Sequence, residues 1–398
     1  MNKTLSIHQR NSVLQKMAEL VRKYRAEIVA ANQKDLKSFD ETDLAMYDRL
    51  KVDEQKIDGM IESLDQLARQ EDPLGKERFS FVHENGLKIE NRTAPFGTIL
   101  IIYESRPDVT VEAAGIAFKS GNKILLKGGK ESFHSNQAIV QLWQEALKIN
   151  SIDENWVEYL VFNRQETQDF LKAPNQKIDL IIPRGGDQLI QFVKENATCP
   201  VIVSGRGNNF VYVESTADQE KAIDIIVNAK VAKISACNAL DKVLIDKKLP
   251  NFDVFVEKLV AKLKKFDVQI LGDAACSIYV GIEKMEDDKI WYKEFLDYKI
   301  VVGQVKDMQE AIDKINQFGG GHSACILTKN DKMAKEFMEE VDAAAVYQNA
   351  STRFTDGFQF GLGGELAIST DKLHQRGPIG LEHLVTNKWY VYGEGQIR

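Results

Sequence analysis

Residues 98–132 read TILIIYESRPDVTVEAAGIAFKSGNKILLKGGKES, and this stretch decides the fold. Thr98 to Tyr103 is an apolar run of strand length. Asp108 to Ser120 is rich in small residues and predicts a helix, which Gly121-Asn122 ends. Lys123 to Lys127 is the next strand, and Gly128-Gly129 opens a further helix. Outward from here the alternation continues. Leu180 to Ile182 is a short apolar run, followed by Pro183-Arg184-Gly185-Gly186 and a helical stretch. Val201 to Val203 and Val211 to Val213 follow as predicted strands. Apolar strands alternating with helices imply an α/β fold whose parallel sheet is covered on both faces.

Residues 5 to 75 read as helices, with Leu14, Met17 and Val21 on one face and Val13 and Leu20 beside them. Phe81 to Arg92 partly alternates around Glu84-Asn85-Gly86, and Asn-Gly is a turn signal, so a hairpin is expected. A second unit is expected to begin near residue 225. Phe252 to Phe266 is amphipathic, with Phe255, Leu259 and Leu263 on one stripe. The last third carries Gly319-Gly320-Gly321, Gly357, Gly361, Gly363 and Gly364, which suggests loops that turn sharply or pass close to a ligand.

The chain has 398 residues, too many for one hydrophobic core, so two or three domains are expected. An apolar content of 43% and a charged content of 28% are those of an ordinary globular protein. A net charge of −7 argues against nucleic acid as the main partner, and no apolar run is long enough to span a membrane. The N-terminus leads into an amphipathic helix pattern rather than a signal peptide. Cys199, Cys237, Cys276 and Cys325 show no metal-ligand or disulfide-framework spacing. No metal is expected, and a reducing cytoplasm fits best.

Cys237 stands out among the four thiols. It lies in NAKVAKISACNA, residues 228–239, flanked by small residues and followed by the apolar run Val243-Leu244-Ile245. A thiol on a short loop between a helix and a strand can meet a substrate and carry an acyl group as a thioester. The alternative is a small buried apolar residue. Lys127-Gly128-Gly129-Lys130-Glu131-Ser132 and Arg184-Gly185-Gly186 both pass from strand to helix, where glycine lets backbone amides approach a phosphate; either could equally be a plain turn. Neither is Gly-x-Gly-x-x-Gly. Tyr103-Glu104-Ser105-Arg106-Pro107 ends a strand at its carboxyl edge, where ligands bind in open sheets. Ser105 and Arg106 are substrate candidates there; a bidentate anion grip by Arg106 competes with a surface salt bridge. Asn349, Ser351 and Arg353 offer an amide, a hydroxyl and a guanidinium suited to a small anion, or a capped turn.

These pieces resemble the gamma-glutamyl phosphate reductase (glutamate-5-semialdehyde dehydrogenase) family of the aldehyde dehydrogenase superfamily. The resemblance rests on Ile102-Tyr103-Glu104-Ser105-Arg106-Pro107, Lys119-Ser120-Gly121-Asn122, LIIPRGG at 180–186, Asn228-Ala229-Lys230, Cys237-Asn238-Ala239, Glu294-Phe295-Leu296 and VDAAAVYQNASTRFTDGFQFGLGGELAISTDKLHQRGPIG at 341–380. It covers essentially the whole chain. It implies an NADP(H)-binding domain over 1–225 with an oligomerisation hairpin at about 81–94, and a catalytic domain over 226–355. It further implies that 356–398 returns to the cofactor domain and ends in an oligomerisation strand near 386–398. The implied reaction is NADPH-dependent reduction of L-glutamyl 5-phosphate to L-glutamate 5-semialdehyde and phosphate, the second step of proline synthesis. The partners it implies are that small-molecule substrate, further copies of the same chain, and glutamate 5-kinase as a channelling partner. Cys237 is the implied nucleophile and Asn238 an oxyanion donor. Lys127, Gly128, Gly185, Gly186, Glu294 and Phe295 are implied to contact the cofactor.

The chain departs from that pattern in three places. Asp108 stands where the family usually has Asn, and Gly207-Asn208-Asn209-Phe210 replaces Gly-x-Cys-His. Val231-Ala232-Lys233-Ile234 replaces Thr-Gln-Arg-Pro before the thiol. Val203 stands where acid-forming aldehyde dehydrogenases carry a general-base Glu, and without that base water attack on a thioester is not promoted. An acid-forming dehydrogenase and a catalytically silent scaffold remain the competing readings.

Overall fold

The computed structural model describes residues 4–40 and 44–398. The chain forms two compact units. One holds the chain up to Val203 together with Gly361–Ala367 and Ile379–Arg398; the other holds Ser204–Phe360 and Ile368–Pro378.

The first unit opens with α1 (Ile7–Lys23), α2 (Arg25–Lys37), α3 (Leu44–Leu50) and α4 (Glu54–Arg69). Ser6 starts α1 through a capping box with Gln9, and Asp53 caps α4. Val13, Leu14, Met17 and Val21 are fully buried, as their spacing predicts. A hairpin follows, β1 (Glu77–Val82) and β2 (Lys88–Pro95), turning through Asn85-Gly86 with Gly86 at φ 90°. Next come β3 (Thr98–Tyr103), α5 (Val109–Lys119), β4 (Lys123–Lys127), α6 (Phe133–Ile149), β5 (Val157–Tyr159), α7 (Arg164–Lys172), β6 (Leu180–Arg184) and α8 (Asp187–Asn196). The four strands make a parallel sheet in the order β5-β4-β3-β6. α5 is buried on nearly every residue because it packs on this sheet and on α1 and α4 at once. Three loops emerge from the carboxyl edge of this one sheet: 104–107 after β3, 128–132 after β4, and 185–186 after β6.

The second unit contains β7 (Asn209–Val213), α9 (Gln219–Val231), β8 (Leu240–Asp246), α10 (Phe252–Lys264), β9 (Gln269–Gly272), β10 (Glu283–Lys284), β11 (Lys299–Val305), α11 (Met308–Phe318), β12 (Ser323–Leu327), α12 (Asp331–Glu340) and β13 (Ala345–Gln348). Its seven strands run in the order β10-β9-β11-β8-β7-β12-β13, all parallel. Every residue of β7 and β8 is buried, the mark of central strands covered on both faces. The chain then forms the short strands β14 (Ala367–Ser369) and β15 (Gly377–Ile379). It ends with β16 (Val385–Tyr392), which pairs antiparallel with β2 and completes a three-stranded sheet with the hairpin.

The structure moves two boundaries. The expected division near residue 225 falls inside α9, whereas the units divide at Val203 and Ser204. The physical reason is β7: its apolar run pairs with β8 and β12 of the second sheet, not with the first. Val201 makes only a single bridge, to Ile181. The expected return of the whole 356–398 stretch is also divided, since 356–360 and 368–378 belong to the second unit.

Candidate functional site

Each unit carries its own group of candidate residues. In the second unit, Cys237 sits in the loop between α9 and the start of β8, half-buried. Its backbone is gripped from two directions. A Cβ at Gly207 would overlap the Cys237 backbone, so only glycine admits this approach. The Asn209 amide donates to the carbonyls of Gly207 (2.8 Å), Cys237 (2.7 Å) and Ala239 (2.7 Å). Its Oδ1 accepts from Ser323 Oγ at 2.5 Å, and that hydroxyl meets His322 Nδ1 at 3.1 Å. His322 is buried, its Nε2 has no hydrogen-bond partner among the described residues, and burial pushes its pKa down to about 4. The departure Gly207-Asn208-Asn209 thus builds a clamp on the thiol loop.

Asn238 differs from expectation. Its amide nitrogen donates to the carbonyls of Thr355 (2.9 Å) and Arg353 (3.2 Å), so both hydrogens already serve the 351–355 segment. Thr352 Oγ1 returns a bond to the Asn238 carbonyl at 2.8 Å. Asn238 therefore ties Arg353 to the thiol loop instead of offering a donor to an oxyanion. Ser351 caps the short turn at Thr352–Phe354 through the Arg353 N–H. The Arg353 guanidinium is half-buried. Its Nε and Nη1 have no hydrogen-bond partner among the described residues, and the Cys237 sulfur lies within its field. Burial, the larger effect, lowers the Arg353 pKa, while Cys237 and Asp356 favour its charge. Asn349 is not brought to this group. Its Oδ1 accepts from Thr328 N (2.9 Å) and its Nδ2 donates to Thr328 O (2.7 Å), past the carboxyl ends of β12 and β13. Cys237, by contrast, precedes the amino end of β8. The Asn349 amide is a loop clasp.

Glu294 and Phe295 lie between a short turn at Asp288–Tyr292 and β11. The Phe295 N–H donates to Asp241 Oδ2 at 3.0 Å, and Lys242 Nζ stands 4.1 Å from the Phe295 ring centroid. Neither Asp241 nor Lys242 is among the residues that the sequence singles out. Fully buried lysine on a central strand is the signal that only the fold supplies.

In the first unit, the loop after β3 is strained: Ser105 is buried at φ 41°. Its N–H and Oγ both donate to Glu131 Oε1 at 2.8 Å. Arg106 Nη2 pairs with Asp108 Oδ2 at 3.0 Å. Burial opposes the Asp108 charge, but Arg106, Lys56 and Arg184 together hold its pKa below the usual value. Burial, then the Asp108 charge, pushes Glu112 up to about 7. Asp108 thus gives Arg106 an internal carboxylate partner. Lys127 Nζ donates to the Gly128 carbonyl at 2.8 Å; burial lowers its pKa and Glu131 raises it. Gly128 is required by packing, because a Cβ there would overlap Asn136. Glu104 Oε2 accepts the Gly186 N–H at 3.0 Å, and a Cβ at Gly185 would overlap that carboxylate. The Arg184-Gly185-Gly186 turn is therefore closed by a carboxylate from within, and the Gly186 amide already has its anion. Among the described residues no group of three or more His, Cys, Asp or Glu side chains is placed to hold a metal ion. No helix of the described residues is long and apolar enough to cross a membrane.

The aldehyde dehydrogenase family profile matches residues 2–291 and 284–389. A gamma-glutamyl phosphate reductase of Clostridium botulinum (strain Eklund 17B / Type B) is 43% identical over 400 residues, covering 100% of this chain and 96% of that protein. One from Carboxydothermus hydrogenoformans is 44% identical over 396 residues, covering 99% of this chain and 95% of its own. The crystal structure of the gamma-glutamyl phosphate reductase of Thermotoga maritima superposes with a TM-score of 0.92 at 41% identity, over 99% of this chain and 95% of that one. The chain belongs to the aldehyde dehydrogenase family and, within it, to the gamma-glutamyl phosphate reductases, oxidoreductases that act on a small-molecule substrate.

Proposed function

We propose that the protein reduces L-glutamyl 5-phosphate to L-glutamate 5-semialdehyde with NADPH, through a thioester on Cys237, in L-proline synthesis. The observation that carries this reading is the half-buried Arg353 guanidinium, with two nitrogens lacking an acceptor among the described residues, in the field of the Cys237 thiol. A half-buried cation with open donors suits an anionic substrate held beside a nucleophile. The Cys237 sulfur attacks the acyl carbon, the C–S bond forms as the C–O bond to phosphate breaks, and phosphate leaves with the electron pair. NADPH, when bound, supplies the hydride that reduces the thioester carbonyl. The resulting hemithioacetal oxyanion re-forms its carbonyl, expelling the Cys237 thiolate and releasing the aldehyde. With the Asn238 amide engaged by Arg353 and Thr355, the Cys237 N–H is the donor this reading assigns to the oxyanion. Val203 supplies no general base, so water attack on the thioester goes unassisted.

The residues fit a dinucleotide. Glu131 is drawn onto Ser105, Lys127 and Lys130 bring cations to the end of β4, and Gly128, without a Cβ, lets Asn136 pack beneath the loop they stand on. Lys127 is assigned to the 2′-phosphate, and Glu294 and Phe295 to the nicotinamide end. Gly185 and Gly186 shape the turn around Glu104. Substrate contacts are assigned to Arg353 and Ser351, with Ser105 and Arg106 lining the strand edge. A second copy of the chain is assigned to the three-stranded sheet of β1, β2 and β16; glutamate 5-kinase is the partner for channelling, and the cytoplasm the compartment. The test is NADP reduction with glutamate semialdehyde, with and without phosphate. Phosphate-dependent reduction is expected. Phosphate-independent formation of glutamate would overturn the reading.

A further inference from the structure

We propose that a buried charge cluster, Lys230, Asp241 and Lys242, is the positioning device for the Glu294-Phe295 segment and so for the nicotinamide end of the dinucleotide. The inference rests on the functional reading above and assigns it a set of residues outside the reacting centre.

All three side chains are sealed from solvent: Lys230 is 0% exposed, Asp241 2% and Lys242 0%. Burying ionised groups is expensive, and well-packed apolar residues would stabilise the strand at least as well. What the charges add here is geometry. Lys230, from the last turn of α9, places its Nζ 2.9 Å from Asp241 Oδ1. The other oxygen of that carboxylate takes the Phe295 N–H at 3.0 Å. Lys242, the next residue on β8, donates to the Lys293 carbonyl at 2.7 Å. Its ammonium also lies over the Phe295 ring, 4.1 Å from the centroid, and Lys299 approaches the same ring at 5.9 Å. Two adjacent residues of one strand therefore hold the backbone on both sides of Glu294: the carbonyl before it and the N–H after it. The next residue, Leu296, is kept at φ 50°, a left-handed conformation that a leucine adopts only when its surroundings impose it. The charged groups facing Lys242 are Asp241 on its own strand, Lys230 from α9, Glu294 from the clamped segment, and Arg206. β8 begins three residues after Cys237, so one strand end fixes both the thiol loop and the Glu294 segment. Lys230 closes the Asn228-Ala229-Lys230 block, which the thioester chemistry leaves without a role.

The test compares wild type with Lys242→Met, which removes charge and hydrogen bond, and Lys242→Gln, which keeps a donor for the Lys293 carbonyl. NADPH affinity is measured directly by fluorescence titration of the full-length protein, beside the rate of Cys237 alkylation by iodoacetamide and the melting temperature. Lys242→Met is expected to weaken NADPH binding about tenfold, with alkylation within about twofold of wild type; Lys242→Gln should fall between. Burial, the dominant influence, pushes Lys242 down to about 7, so wild-type affinity should fall from pH 6 to pH 8 more steeply than that of Lys242→Met. The variant cancels the titration of the dinucleotide's own phosphate. A folded Lys242→Met with wild-type NADPH affinity overturns the inference while leaving the functional reading intact. If Lys242→Met does not fold, unchanged affinity in Lys242→Gln overturns it equally. A wild-type protein that binds no dinucleotide overturns the functional reading and the inference together.

Discussion

In the proposed reaction, Arg353 and Cys237 form the pair on which the chemistry turns. Cys237→Ser should abolish turnover while leaving the melting temperature within a few degrees of wild type, because the change is nearly isosteric in a half-buried loop. A serine hydroxyl without a base is a poor nucleophile, so a residual rate above roughly a tenth of wild type would remove Cys237 from that role. Arg353→Ala should raise the substrate KM about tenfold or more, from the loss of a charge-assisted contact of about 1.5–3 kcal/mol, while NADPH affinity stays put. An unchanged KM and kcat would take Arg353 out of the site. The candidates on the two sides of the thiol were unequally legible. Cys237 announces itself by chemistry and local context. Asn209 reads only as a missing family residue, because the carbonyls it holds lie up to 30 residues away and a side-chain amide carries no spacing signal. The same holds for Glu104, which reaches the Gly186 amide from 82 residues away.

At the scale of elements, apolar runs reveal strands but not the sheet they join. Residues 98–132 are legible because strand, helix and strand follow one another within one parallel unit, so local pattern and tertiary neighbour coincide. The hairpin was legible through Asn85-Gly86. β7 reads equally well as a strand of the first sheet because its sequence fits any buried parallel strand; its partners, β8 and β12, lie further along the chain. The amino ends of β7 and β12 also carry the Asn209, Ser323 and His322 network. Asn209→Ala would take the side-chain donor from the Cys237 and Ala239 carbonyls, while the Gly207 carbonyl keeps the Asn209 backbone N–H, and should cost about 1–3 kcal/mol of stability and lower kcat at least tenfold through a loosened thiol loop. Stability by denaturant titration and single-turnover rates check this; a stable variant with wild-type kcat would remove the clamp from the mechanism. His322 adds a pH dependence. Its folded pKa of about 4 lies below the ordinary 6.5, so between these values the unfolded chain binds the proton and the fold does not. Stability is thus lost as pH falls from about 6.5 to 4. His322→Gln should show a shallower acid limb, by up to about 3 kcal/mol across that range, and an identical slope would mean the ring is not kept neutral.

At the scale of the whole molecule, the three-stranded sheet of the first unit carries a stripe of exposed apolar side chains. Phe79 and Phe81 on β1 stand opposite Asn91 and Ile89 on β2, which stand opposite Trp389 and Val391 on β16, so the cross-strand register puts all six on one face. Phe79 is 50% exposed, Phe81 47%, Trp389 55% and Val391 58%. Phe79 and Trp389 meet edge to face at 5.9 Å, which holds the stripe in one arrangement. The reverse face is charged and internally paired: Lys88 and Arg92 flank the buried Glu90, with Lys88 against Tyr392 and Arg92 against Tyr390. An apolar stripe backed by a closed ionic face is suited to burial against another sheet rather than to water. The occupant proposed for it is a second copy of this chain, because β1 and β16 are the two edges of a three-stranded sheet and border the same apolar face. Phe81→Glu combined with Trp389→Glu should lower the molar mass measured by light scattering toward that of one chain, while Cys237 alkylation continues at the wild-type rate, since these residues lie in the other unit. A mass unchanged by the double substitution would place the interface elsewhere. A monomeric wild type would remove the second copy from this face altogether.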